Sequence, residues 1–99
     1  MLYAVIFTDD PDRSAMRAQH MAAHLAFLER NGARIKAAGP LLGGDTAGGQ
    51  ASGGLWLVEA PDREAVRALV EEDPFWPTGL RRATAIHEWR RVFADGRRT

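Results

Sequence analysis

The segment Leu2-Tyr3-Ala4-Val5-Ile6-Phe7-Thr8 is short, apolar and rich in β-branched and aromatic side chains, which predicts a buried strand. Asp9-Asp10-Pro11 ends it and opens a helix. Asp10 suits the N-cap, Pro11 the first helical position, and Asp12 the positive end of the helix dipole. This helix is predicted to run to Arg30, where Asn31-Gly32 offers a left-handed stop. Its core stripe, at steps of three and four, is Ala18, Met21, Ala22, Leu25 and Leu28. Ala33 to Leu42 reads as a second strand interrupted by Gly39-Pro40, and Leu55 to Ala60 as a third. Between them Gly39 to Gly54 holds seven of the ten glycines, so it is read as a long mobile loop. Pro61-Asp62 leads into a second helix with inward residues Val66, Leu69 and Val70, ended by Asp73-Pro74 because a residue before proline avoids the helical region. A turn from Phe75 to Gly79 precedes a long last strand, Leu80 to Phe93, and a polar tail expected to fray. Residues 1–94 form one predicted domain and 95–99 the tail.

The resulting order, β-α-β-β-α-β, is the α+β split arrangement called ferredoxin-like: an antiparallel sheet with both helices on one face. Strand one is apolar at nearly every position. Strand four alternates Ala83, Ala85, His87 and Trp89 against Thr84, Ile86, Glu88, Arg90 and Val92. Both sheet faces therefore ask to be covered, and two helices cover only one. A second copy closing sheet against sheet, a homodimer, is the expected solution. It suits a chain of 99 residues without cysteine, which by itself buries only about two-thirds of its unfolded surface.

Composition narrows the function classes. Without cysteine there is no disulfide scaffold, zinc ribbon, iron–sulfur cluster or thiol nucleophile. Thirteen basic and thirteen acidic residues give zero formal charge, against the basic excess a nucleic-acid binder needs. The arginines at positions 81, 82, 90, 91, 97 and 98 read as a solvated strand edge and tail. The longest apolar run, Leu2 to Phe7, is too short to span a membrane, and no basic segment precedes it, so a cytoplasmic location is expected. The glycine-rich segment lacks the Lys-Ser/Thr of a phosphate loop, and neither serine sits in a nucleophile elbow. No cofactor is expected.

Two residues stand out chemically. Asp73 occupies the next inward position after Val66, Leu69 and Val70, at the negative end of its helix. Burial and the dipole are both expected to push its pKa up. The structural alternative is a carboxylate that merely caps the Pro74-Phe75 turn. His24 lies at the edge of the first helix's apolar stripe, where an imidazole can give and take a proton near neutral pH. The alternative there is an ordinary half-buried helix histidine. His20 and His24 have the spacing of a metal pair, but no third ligand is evident and no metal is expected. On this fold the two helices lie side by side, so His24 and Asp73 can meet. An Asp–His⁺ contact would then oppose the burial effect, and the sequence leaves open which is larger.

Met1-Leu2-Tyr3, His24-Leu25-Ala26-Phe27-Leu28, Gly39-Pro40-Leu41, Asp73-Pro74-Phe75, Gly79 and Trp89-Arg90-Arg91-Val92-Phe93 together resemble, in order and spacing, the YCII (YciI-like) family. The resemblance implies a ferredoxin-like dimeric α/β barrel related to muconolactone isomerases and antibiotic-synthesis monooxygenases, with a histidine–aspartate site at His24 and Asp73. It also implies an activity of the kind that removes hydrogen chloride from a chlorinated hydroxyquinol-type ring. One departure is visible: the arginine often found three residues before the histidine is Met21 here. The expected function is a cofactor-free lyase or isomerase. Asp73 would serve as base and His24 as its partner, on a small cyclic substrate bound by Tyr3, Gly39, Pro40, Phe75 and Trp76 under a glycine-rich lid. The alternatives are a small-ligand-binding or accessory domain using the same pocket, and a heme- or dioxygen-dependent monooxygenase.

Overall fold

A computed structural model describes residues 1–43 and 50–99. Its strands and helices follow the expected order: β1 (Leu2–Asp9), α1 (Ala15–Arg30), β2 (Ile35–Leu42), β3 (Ala51–Glu59), α2 (Arg63–Glu72) and β4 (Arg81–Glu88). The main sheet has the order β2-β3-β1-β4, with every neighbouring pair antiparallel. β1, apolar on both faces, therefore takes a central place with ladder partners on each side. Its Tyr3, Val5 and Phe7 face the helices, beside Trp56 and Val58 of β3 and Ile35 of β2. Phe27 of α1 and Val66, Leu69 and Val70 of α2 close this core. The α2 stripe is the predicted one. Asp62 caps the helix by accepting the Ala65 N–H at 2.8 Å.

Four expectations are corrected. The buried positions of α1 are His24 and Phe27, while Ala18, Ala22 and Leu25 are exposed. Alanines spread around this helix left its phase undetermined. Phe27 against Trp56, ring centroids 6.1 Å apart, and His24 against α2 set it. Second, much of the stretch read as a loop is strand: Gly39 pairs with Leu55, Pro40 with Gly54 and Leu41 with Gly53. Glycine is required at position 53, where a Cβ would stand 2.0 Å from the Phe7 carbonyl oxygen of the neighbouring strand. The remainder of the proposed lid, residues 44–49, lies outside the described residues.

Third, β4 ends at Glu88 and not at Phe93. Fourth, the tail expected to fray is a small hairpin, β5 (Phe93–Ala94) with β6 (Arg97–Arg98). It turns on Asp95 and Gly96, both at positive φ, the two-residue turn that Asp-Gly favours. Thr99 fastens its end by bonding the carbonyls of Val92 and Arg91. The sheet face away from the helices carries Ile6, Leu41 and Leu55, all exposed in the single chain. No helix among the described residues is long and apolar enough to cross a membrane.

Candidate functional site

The apolar face of α2 anchors the helix so firmly that its C-cap, Asp73, is carried into the interior, where it is 1 % exposed. Pro74 then turns the chain. Asp73 Oδ1 accepts the Phe75 N–H at 3.0 Å, a local bond that fixes the carboxylate's orientation. The same oxygen lies 2.9 Å from Nδ1 of His24 on α1. Phe75 stacks on the imidazole, with ring centroids 4.1 Å apart and planes within 16°. One carboxylate thus ends a helix, shapes a turn and grips a histidine, so the capping and functional readings of Asp73 coexist.

The other carboxylate oxygen meets Arg81, the first residue of β4. Arg81 Nη1 is 2.8 Å from Asp73 Oδ2, a charge contact whose angles fall short of a hydrogen bond. The guanidinium lies 3.8 Å from the Phe7 ring centroid, with Trp56 and Phe75 at 5.1 and 5.3 Å. Arg81 is therefore a buried cation and not part of a solvated edge, and the expectation for this position is overturned. A buried carboxylate calls for a cation, and Arg81 directly follows the buried Leu80. A basic residue directly after an apolar one, in a chain with a carboxylate on an inward helical stripe, is the sequence signal that could have found it.

Burial pushes the Asp73 carboxyl up, as expected. The hydrogen bond from His24, the positive charge of Arg81 and the Phe75 N–H together outweigh it and hold the pKa below the ordinary carboxylate value. The expected upward shift is thus reversed, and Asp73 is an anion. Burial lowers the pKa of Arg81, with the charge of Asp73 opposing it. Because an ionised carboxylate only accepts, His24 Nδ1 must donate, so whenever the ring is neutral Nε2 is its acceptor nitrogen.

His24 lines a cavity of about 110 Å³ between α1 and the β2–β3 edge. Gly39 and Pro40 form its β2 wall, Trp56 part of its floor, and Met21 and Arg17 continue the α1 wall. The structure therefore brings His24, Asp73, Phe75, Gly39 and Pro40 together. Asp73 is not on the cavity wall but behind the imidazole, its side chain fully buried. Tyr3 is elsewhere, in the core near the far end of β1, its hydroxyl 3.9 Å from Met1 Sδ. Trp76 is partly exposed in the turn after Phe75 and does not line the cavity. Arg17 escaped the sequence reading although helical spacing places it on the face of Met21 and His24. No three metal-ligating side chains cluster among the described residues.

An antiparallel sheet with two helices on one face, and a small cavity lined by His24 with Asp73 behind it, define a ferredoxin-like α+β protein with a candidate small-molecule site. The chain belongs to the YCII-related domain family, whose model matches residues 1–90. It has no significant match among curated proteins. Among solved structures it is similar to 5-chloro-2-hydroxyhydroquinone dehydrochlorinase (TftG) from Burkholderia phenoliruptrix AC1100, in complex with 2,5-dihydroxybenzoquinone. Identity is 36 %, coverage is 91 % of this chain and 94 % of that one, and the TM-score is 0.79.

Proposed function

We propose that this protein is a cofactor-free lyase of dehydrochlorinase type, acting on a single-ring hydroxylated substrate. His24 is the group that exchanges protons with it, and Asp73 is the anion that orients and stabilises His24. The observation that carries this reading is the layered order cavity, imidazole, carboxylate. Nδ1–H donates to Asp73, so Nε2 is the nitrogen left to accept a proton from a ligand, and the imidazolium that forms faces a buried negative charge. The sequence suggested Asp73 as the base; its place behind the ring moves that role to His24. Likeness to a dehydrochlorinase adds the reaction class.

In such a reaction His24 takes a ring hydroxyl proton and returns a proton to the carbon that bears chlorine. Loss of a second hydroxyl proton then expels chloride with the carbon–chlorine electron pair. The net change is loss of HCl and formation of a quinone, which requires no external oxidant. The exposed sheet face with Ile6, Leu41 and Leu55 supports a homodimer as the working form.

The test measures chloride release and quinone absorbance from a chlorinated hydroxyquinol with wild type, His24→Ala and Asp73→Asn. Turnover by wild type that drops by about 10²–10⁴-fold in both variants is expected for lost acid–base catalysis. Undiminished turnover in His24→Ala would overturn the mechanism. Ligand binding without chloride release by wild type would favour the accessory binding domain instead.

A further inference from the structure

We propose that Arg17 is the anion-recognising residue of the cavity, and that the ligand it takes is a single six-membered ring carrying an acidic oxygen, bound as its anion. This deepens the functional reading above and rests on the same cavity.

Arg17, Met21, His24, Leu25 and Leu28 line the cavity from one face of α1. Four of these five offer no permanent charge. At Arg17 the helix places a guanidinium, one side-chain row beyond Met21, with its central carbon 5.7 Å from the centroid of the Phe75 ring on which His24 stacks. The cation and the imidazole thus share a neighbour and a cavity wall.

The two arginines that line the cavity, Arg17 from α1 and Arg81 from β4, differ in how far they are enclosed. Arg81 is held against Asp73 among three aromatic rings, with a side chain only 6 % exposed. Arg17 is 21 % exposed, and its described contacts all run through Nη2, to Asp9 Oδ2 at 2.5 Å and the Gly53 carbonyl at 3.4 Å. Among the described residues no hydrogen bond engages its Nε or Nη1. Those N–H groups are charged donors open to an oxyanion. Asp9, itself buried, holds the guanidinium through Nη2.

Charge arithmetic points the same way. Arg17 is balanced by Asp9 and Arg81 by Asp73, so the wall is neutral while His24 is neutral. A ring hydroxyl that passes its proton to His24 leaves an oxyanion and an imidazolium. A ring that arrives already ionised brings the same oxyanion, and in either case Arg17 supplies the donors it needs. Size sets the rest of the ligand. A cavity of about 110 Å³ with Met21, Leu25, Leu28, Pro40 and Trp56 on its walls is of the order that accepts one benzene-sized ring.

The experiment titrates the full-length chain with 2,5-dihydroxybenzoquinone, an acidic single ring, and with hydroquinone, a ring of the same size that stays neutral at pH 7. Calorimetry reads both affinities in wild type, Arg17→Met and Arg17→Lys. Arg17→Lys retains a cation for Asp9 and so guards against a misfolded variant. Arg17→Met should weaken binding of the acidic ring by roughly 10–100-fold, the range of a charge-assisted hydrogen bond. Arg17→Lys should fall between, and hydroquinone should bind weakly and equally to all three. Equal affinity of the acidic ring for wild type and both variants would overturn the proposal, as would its failure to bind wild type. Arg17-dependent binding with no chloride release by wild type leaves this proposal standing and removes the catalytic one. Undiminished turnover and affinity in Arg17→Met does the reverse.

Discussion

Asp73 and Arg81 form an ion contact at 2.8 Å between side chains that are 0 % and 6 % exposed. Neither charge has water to fall back on, so each depends on the other. Replacing Arg81 by Met, which fits the aromatic surroundings, should leave Asp73 uncompensated and destabilise the protein by about 3–5 kcal/mol, the cost of breaking a buried pair. Urea unfolding followed by tryptophan fluorescence measures it. A change below about 1 kcal/mol, the scale of an exposed pair, would show that solvent reaches this contact.

The same carboxylate sets the acid limb of stability. Its folded pKa lies below the ordinary 3.8. Its contribution is therefore complete above that value, shrinks as the unfolded chain takes up a proton that the folded chain refuses, and vanishes once pH passes below the folded pKa. Urea midpoints should fall as pH drops through 3.8, and the fall should be shallower in the double variant Asp73→Asn/Arg81→Met, which lacks the group. Identical acid limbs in the two proteins would refute this assignment.

Gly53 lets β3 approach β1 more closely than any side chain allows. In Gly53→Ala the new Cβ meets backbone, which cannot rotate away, so β1–β3 pairing must shift locally. A loss of about 1–3 kcal/mol is expected, as for overpacked interiors. Thermal unfolding checks it. Gly39→Ala, with open space at its Cβ, is the comparison and should change stability far less.

Leu55 stands on the sheet face opposite the helices, beside Ile6 in the β1–β3 ladder. If a second copy covers this face, Leu55→Glu places a charge in an apolar interface and should halve the mass seen by sedimentation equilibrium at micromolar concentration. Stability of the monomer should be nearly untouched, since the position is already exposed. A monomeric wild type would remove the dimer from the proposal.

How much was readable in advance differs residue by residue. The apolar run from Leu2 to Phe7, the stripe Val66-Leu69-Val70 and the Asp73-Pro74 stop are local patterns, and they placed β1, α2 and the end of α2 within a residue or two. The position of Asp73 in the inward stripe also flagged it as a carboxylate inside the fold. Patterns failed where apolar residues do not choose a side: the alanines of α1 allowed a wrong phase. Glycines misled as well. Those from 39 to 54 suggested a loop, but at Gly53 the small residue serves close strand approach.

The sequence alone determined the element order, the ferredoxin-like class and the identity of the imidazole and carboxylate worth watching, because each of these is encoded in spacing along a few helical turns or one strand. Only the tertiary structure decided that Asp73 stands behind His24 and not in the cavity, that Arg81 is buried and Arg17 faces the hollow, and that the carboxyl pKa moves down. Those outcomes are sums of desolvation, charge and hydrogen bonds among groups from α1, α2 and β4. The sign of such a sum is set by distances that exist only after the chain has closed on itself.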